Sequence, residues 1–376
     1  MGYVAVKGGI DAILAAEELV KLGRLQSRSE LLQIDQLIEQ QRMAVDQVMS
    51  EAGLYDEKLA ALALKQAEGD LMEAGFLLRA YKSTLERLGY SLPIDTSRMK
   101  VLRRISSAFK NIPGGQVLGR TRDYTQRLLD FNLIEEIRVP ESAFQQPKAT
   151  TNMPKFSRVS DLLRAEGLLA ALAPSEQEPF DITRDTLKFP APRSARLQTL
   201  ARGESGAMVA LGYSSLRGYG MVHPTISELR YGKVPVEFLH PLTGNPVTVG
   251  QLRVTEVEAL NHAYSIVGRD KDGIAEQESQ NKDGETVAPL YELGYGLVYG
   301  QNERKAISMS ILDRALDIGG DAPSSDQEFV LYHIDSVESS GFVEHLKLPH
   351  YVTFQSSLDR SREETRLAYA AEAGKK

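Results

Sequence analysis

Along the first quarter of the chain, apolar positions recur with the period of a helix. Residues 11–22 form one such stretch. Residues 30–51 form a second, with Ile34, Leu37, Ile38, Val45, Val48 and Met49 at helical spacing. Residues 56–67 and 70–88 continue the pattern across breaks at Gly53 and Gly69, and Asp70 stands where an N-cap belongs. Ahead of them, residues 2–9 (GYVAVKGG) read as a short β-branched strand closed by two glycines. Residues 139–155 and 173–194 hold Pro140, Pro147, Pro154, Pro174, Pro179, Pro190 and Pro192, which makes them loops or linkers. Beyond them the pattern predicts strands over 206–213, 234–239, 246–254 and 294–300, and a helix over 303–316. Residues 268–288 are polar and turn-rich, a solvated excursion, and residues 358–376 read as a charged helical tail. The expected class is α+β. It comprises a mostly helical domain over 1–135, a proline-rich region over 136–194, and a mixed domain with short strands and glycine-rich turns over 195–376.

Composition narrows this further. The 376 residues fit two or three domains, and 42% hydrophobic with 25% charged content fits a globular chain rather than a disordered or fibrous one. Cysteine is absent. That excludes disulfides, thiol catalysis, thiolate zinc sites and a cysteine-held iron–sulfur cluster within this chain. Lys7, Asp11, Glu17 and Glu18 interrupt the first twenty residues, and no apolar run approaches the roughly 20 residues of a membrane span. A cytoplasmic location is expected. Nucleic acid is an unfavoured partner, since the chain is acidic at −7, has 7% aromatics and lacks tryptophan.

Charge is unevenly spread. Residues 98–127 carry eight Lys or Arg against Asp123 alone, so this window holds +7 and the remainder −14. At its centre Ile112-Pro-Gly-Gly115 is a turn whose backbone N–H groups can approach an anion. Arg103, Arg104, Lys110, Gly114 and Gly115 are therefore candidates for a triphosphate, because guanidinium forks match phosphate oxygens. A solvated basic face, or a dock for an acidic partner, accounts for the same charge.

Gly294-Tyr-Gly-Leu-Val-Tyr-Gly300 runs into Asn302-Glu-Arg-Lys-Ala306, a strand, turn and helix start that suits a second anion at Arg304 and Lys305. Close strand–helix packing explains the glycines equally well. Their spacing is neither the dinucleotide fingerprint nor a P-loop, no H-E-x-x-H occurs, and Gly203-Glu-Ser-Gly-Ala207 lacks the last glycine of the hydrolase elbow. Of six histidines, His223 lies in a glycine-rich loop, while His345 and His350 are five apart in GFVEHLKLPHY. Pro349 favours a bend between them that can bring both imidazoles to one metal. Two ligands do not complete a zinc shell, and two ordinary histidines remain the alternative.

The strings themselves carry more. Tyr3-Val-Ala-Val-Lys-Gly-Gly9, LAALALKQAEGDLMEAGFLLRAY from Leu59, Arg103-Arg-Ile-Ser106, Ile112-Pro-Gly-Gly-Gln116 and DYTQRLLDF from Asp123 follow in order. Arg217-Gly-Tyr-Gly220 with His223-Pro224, then 294–306, Glu328-Phe-Val-Leu331 and 341–351 complete the series. Through these blocks the chain resembles subunit I, the nucleosidase subunit, of the bacterial carbon–phosphorus lyase core complex. The resemblance implies a transferase that, with subunits G, H and L, replaces the adenine of ATP by an alkylphosphonate to give ribose 1-phosphonate 5-triphosphate. Alone, such a subunit hydrolyses ATP or GTP to base and ribose triphosphate. The resemblance also implies subunits J and K as partners, J being the radical enzyme that breaks the carbon–phosphorus bond. It assigns His345 and His350 to zinc at the contact with J. Residues 136–158 and 268–288 depart from the family pattern. Displacing a base creates an oxocarbenium-like centre that a carboxylate should stabilise, and Asp123, Asp130, Glu303 and Glu328 are the candidates. The competing reading is a scaffold subunit that lends a metal site to a composite centre.

Overall fold

A computed structural model describes residues 7–140, 142, 157–169, 178–217, 224–262, 279–280, 286–287 and 291–374. Five helices open it: α1 (Gly9–Leu25), α2 (Ile34–Gln40), α3 (Arg42–Ala52), α4 (Glu57–Gln66) and α5 (Leu71–Ser83). Carboxylates start two of them, Asp70 as expected and Asp56 in addition. Asp56 accepts from Leu59 N at 2.9 Å, and Asp70 from Met72 N at 2.9 Å and Glu73 N at 3.1 Å. Helices α2–α5 enclose a small core of Leu37, Val45, Val48, Met49, Ala60, Leu64 and Leu78, the residues their periodicity aligns. Helix α1 buries no residue. Of the strand expected over 2–9, residues 2–6 lie outside the described residues, and Gly9 opens α1 instead of ending a strand.

The sheet is antiparallel in the order β1-β2-β3-β6, from β1 (Lys100–Ile105), β2 (Thr225–Leu239), β3 (Pro246–His262) and β6 (Tyr291–Tyr299). A two-residue ladder pairs β4 (Ser279–Gln280) with β5 (Thr286–Val287) inside the expected excursion, most of which lies outside the described residues. Strand β1 comes from the stretch read as helical, so the sheet joins chain from both sides of the proline-rich region. The remaining helices are α6 (Val159–Ala165), α7 (Arg193–Arg202), α8 (Ser205–Leu216), α9 (Glu303–Ile318), α10 (Gln327–His333), α11 (Ser336–Glu344) and α12 (Tyr351–Ala373). The class is α+β, as the pattern predicts.

One expected strand is a helix. Residues 206–213 belong to α8, because Glu204 accepts from Gly206 N and Ala207 N and because Met208, Gly212 and Ser215 are buried at helical spacing. A short apolar run fits a buried strand and a buried helix alike, and here the cap decides. The main core lies between one sheet face and helices α7–α10, around Leu200, Met208, Leu229, Val257, Val298, Met309, Leu312 and Leu316. Helix α9 crosses β6 at backbone contact. A Cβ on Gly294 or Gly296 would collide with the carbonyl of Ser310 or Ala306, so these two glycines serve close packing.

Candidate functional site

The turn between β6 and α9 gathers side chains from four distant parts of the chain. Gly300 takes φ +68°, and its missing Cβ leaves room for Asp46 of α3. The buried Asp46 carboxylate accepts from Gln301 N at 2.9 Å and Arg253 Nη2 at 3.1 Å, with Arg42 Nη1 at 3.5 Å. Burial pushes its pKa up, against the Gln301 N–H and the Arg253 and Arg42 charges. Asn302 donates from Nδ2 to the Asp46 carbonyl at 3.0 Å and from its N–H to Thr255 Oγ1 at 3.1 Å.

Beside this turn Arg103 of β1 is fully buried. Its Nε lies 2.9 Å from Glu303 Oε1, and its two terminal nitrogens donate to Asp123 and to the Leu118 carbonyl. Gln301 Nε2 donates to Glu303 Oε1 at 2.9 Å. Thus two of the four candidate carboxylates, Asp123 and Glu303, meet at one guanidinium next to the start of a 16-residue helix. The exposed Arg120, Arg122 and Arg304 are on the segments that form this corner. Asp130 instead caps the exposed turn Phe131–Glu135, and Glu328 stands in the exposed first turn of α10.

Arg104 is buried as well. It donates to Glu228, to the carbonyls of Pro113 at 2.6 Å and Gly115 at 3.3 Å, and to Ser157 O at 2.8 Å. The 112–115 turn, with φ of +79° at Gly114 and +80° at Gly115, therefore turns carbonyls toward a cation inside the protein. Lys110 is exposed nearby. The same sheet face carries Arg230 on Glu256, and Arg158 at 3.3 Å from both Glu256 and Glu258. Tyr295 OH and Thr96 Oγ1 donate to Glu256 at 2.8 and 2.7 Å. Burial works against the Glu256 charge, yet Arg230 and Arg158 hold its pKa low. Glu258 has less support: burial and the neighbouring Glu256 raise it to about 6. Lys305 is buried too, with Nζ 2.8 Å from Ser50 Oγ, and burial lowers it to about 8.

The two closing histidines come together. His345 ends α11, His350 precedes α12, and their ring centroids are 5.3 Å apart at an interplanar angle of 58°. Each Nδ1 faces a backbone carbonyl, Phe342 O for His345 and Leu348 O at 2.6 Å for His350. With Nδ1–H so engaged, both Nε2 atoms present lone pairs, the arrangement that orients imidazole for a metal. Metal–nitrogen bonds of about 2.0–2.1 Å at a tetrahedral centre set two ring centres roughly 5 Å apart, and the separation of this pair matches that spacing. Among the described residues no third His, Asp or Glu completes such a group.

A family model described as bacterial phosphonate metabolism protein (PhnI) matches residues 2–367. The chain belongs to this family. It is 48% identical over 382 residues to the alpha-D-ribose 1-methylphosphonate 5-triphosphate synthase subunit PhnI of Rhizobium meliloti (strain 1021), covering 100% of this chain and 98% of that one. It is 45% identical over 364 residues to the subunit of the same name from Escherichia coli (strain K12), covering 95% and 96%.

Several residues of this cluster in the PhnI-family chain escape sequence reasoning, namely Asp46, Arg253, Gln301, Glu228, Glu256 and Glu258. The strand strings Glu228-Leu-Arg230 and Glu256-Val-Glu258 alternate charge with apolar residues, which reads as an exposed sheet face. The telling signal is that charges recur in both strands at matching register, Arg230 opposite Glu256 as an ion pair and Glu228 opposite Glu258 as two like charges that need cations from outside the two strands. His223 lies outside the described residues.

Proposed function

We propose that this chain is a subunit of a ribose 1-phosphonate 5-triphosphate synthase and performs the displacement of adenine from ATP by an alkylphosphonate. The observation that carries this reading is its near full-length likeness to two synthase subunits. The corner at Arg103 supplies the chemistry. Glu303 or Asp123 stabilises the cationic ribose carbon, Arg103 orients that carboxylate, and the exposed Arg120, Arg122, Arg304 and Lys110 draw in triphosphate and phosphonate. Water in place of phosphonate gives nucleosidase activity on ATP or GTP by the lone chain.

The partners in this reading are subunits G, H and J with the ABC-type subunits K and L, in the cytoplasm. Among the described residues no helix is long and apolar enough to cross a membrane. His345 and His350 would hold zinc through Nε2, the shell being finished by water, substrate or subunit J. Bound there, zinc supplies a Lewis-acidic centre for phosphate or phosphonate oxygens.

The test is ATP turnover by the pure chain, then with its partners and methylphosphonate. Free adenine with ribose triphosphate from the chain alone, and a phosphonate-bearing product from the mixture, are expected. A mixture that yields neither overturns the reading. A second reading, a scaffold subunit, is favoured by one observation: Arg103 and Arg104 are engaged by carboxylates and carbonyls inside the protein. Activity only in the mixture, undiminished by Glu303→Gln and Asp123→Asn, would select it.

A further inference from the structure

Lys305, the third residue of α9, is a fully buried cation whose one hydrogen bond among the described residues goes to Ser50 Oγ at 2.8 Å, although an ammonium carries three donors. Next to Ser50 on α3, Glu51 accepts through Oε1 from Ser205 N at 3.1 Å, Ser205 Oγ at 2.8 Å and Gln47 Nε2 at 2.8 Å. Its other oxygen, Oε2, is buried with no hydrogen-bond partner among the described residues. An under-bonded buried ammonium thus stands near an under-bonded buried carboxylate oxygen, where an apolar pair of equal volume would avoid the desolvation of both. The same two helices meet one turn away at the candidate site, where Asp46 of α3 binds Gln301 and Asn302 at the head of α9.

We propose that Lys305 is a positioning residue: by tying Ser50 and Glu51 of α3 to the first turn of α9, it fixes the turn that brings Glu303 to Arg103. The proposal rests on the reading above that this turn belongs to the reaction site. Charged groups face Lys305 from three directions, namely Glu51 on α3, Arg79 on α5 and Glu204 ahead of α8, with Arg79 itself bound to Asp335 at 2.7 Å. Burial and Arg79 favour the neutral amine, and Glu51 and Glu204 oppose them. Above pH about 8 the amine keeps a bond to Ser50 but loses its attraction to Glu51.

The experiment uses the full chain carrying lysine labelled with 13C at Cε, observed by NMR from pH 6.5 to 10. The Lys305 signal is expected to titrate near pH 8, and the backbone amides of residues 301–304 to shift with the same midpoint. In the assembled complex, Lys305→Met/Glu51→Gln is expected to lower kcat for adenine release at least tenfold with KM within twofold. It should keep a melting temperature no lower than the parent and lose the fall in rate above pH 8. Amides that ignore the Lys305 titration, or a folded double variant with the parent's kcat and pH profile, overturn the inference. Should the double variant not fold, the NMR titration of the parent alone decides. Should the parent complex release no adenine at all, the functional reading fails, while the titration still decides whether Lys305 sets the turn.

Discussion

Glu258 and Arg104 show how differently two buried charges can be supported on one sheet face. Arg104 has a carboxylate and three carbonyls around it, so Arg104→Ala would strand Glu228 as an unpaired buried charge. A loss of about 3–5 kcal/mol is expected, read as a lower urea midpoint at unchanged slope. Glu258 shares Arg158 with Glu256, and its Oε2 has no hydrogen-bond partner among the described residues. Its folded pKa of about 6 lies above the ordinary 4.5, so the folded state binds the extra proton between those values. The stability this group contributes is therefore full below pH 4.5 and lost as pH rises through about 6. Glu258→Gln should abolish that slope and at pH 7.5 gain up to about 2 kcal/mol, at 1.36 kcal/mol per pKa unit. Urea unfolding at pH 5, 6 and 7.5 checks it, and an unchanged slope would contradict it. At the corner proposed to be catalytic, Glu303→Gln should cut kcat for adenine release about 10²–10³-fold with little change in melting temperature, by analogy with removing one preorganised electrostatic contact.

Helices α4, α5 and α9 are legible in the chain because each is specified within its own length, by period and, for α4 and α5, by an aspartate cap. Helix α8 is not, since its apolar run fits two structures and its cap is a glutamate that no strand pattern would flag. The basic window misleads for a related reason. Arg98 pairs with Glu237, Arg103 with Asp123 and Glu303, and Arg104 with Glu228, contacts that reach as far as 200 positions along the chain. Local charge counting cannot see them. The glycines of β6 also settle between their two readings. Gly296→Ala should push α9 off the sheet and cost roughly 1–3 kcal/mol or more, with a matching loss of adenine release because Glu303 moves with the helix. Normal stability in that variant would show that the backbone contact is not tight.

On the scale of the whole molecule, apolar surface is left uncovered in specific places. Helix α1 shows Ile10, Leu14 and Leu19 to solvent, the segment after the basic window shows Leu128, Leu129, Phe131 and Ile134, and the histidine segment shows Phe342 and Phe354. Surface of this kind marks contact sites. The chain is expected to co-purify with its partner subunits, and a fully active monomer indifferent to them would count against that. Zinc is tested at this scale too. His345→Ala/His350→Ala should lower the zinc content of the complex while sparing adenine release. Equal zinc in parent and variant would exclude the pair as ligands. The histidine spacing was readable in the chain. The ring approach and the carbonyls behind each Nδ1 depend on how α11 ends and α12 begins.

That β1 precedes its partner strand by more than a hundred residues also dictates an order of events during synthesis. Helices α2–α5 hold their own core and can close while the ribosome is still translating the proline-rich region. Arg103 and Arg104 emerge soon afterwards, but Glu228 follows Arg104 by 124 residues, and Glu303 comes later still. Asp123 follows Arg103 by only 20 residues, but for much of its growth the nascent chain displays the Arg104 guanidinium without Glu228 to meet it, within reach of the polyanionic ribosomal surface. A message cut short before codon 228 would yield a chain in which Arg104 stays available to any passing anion.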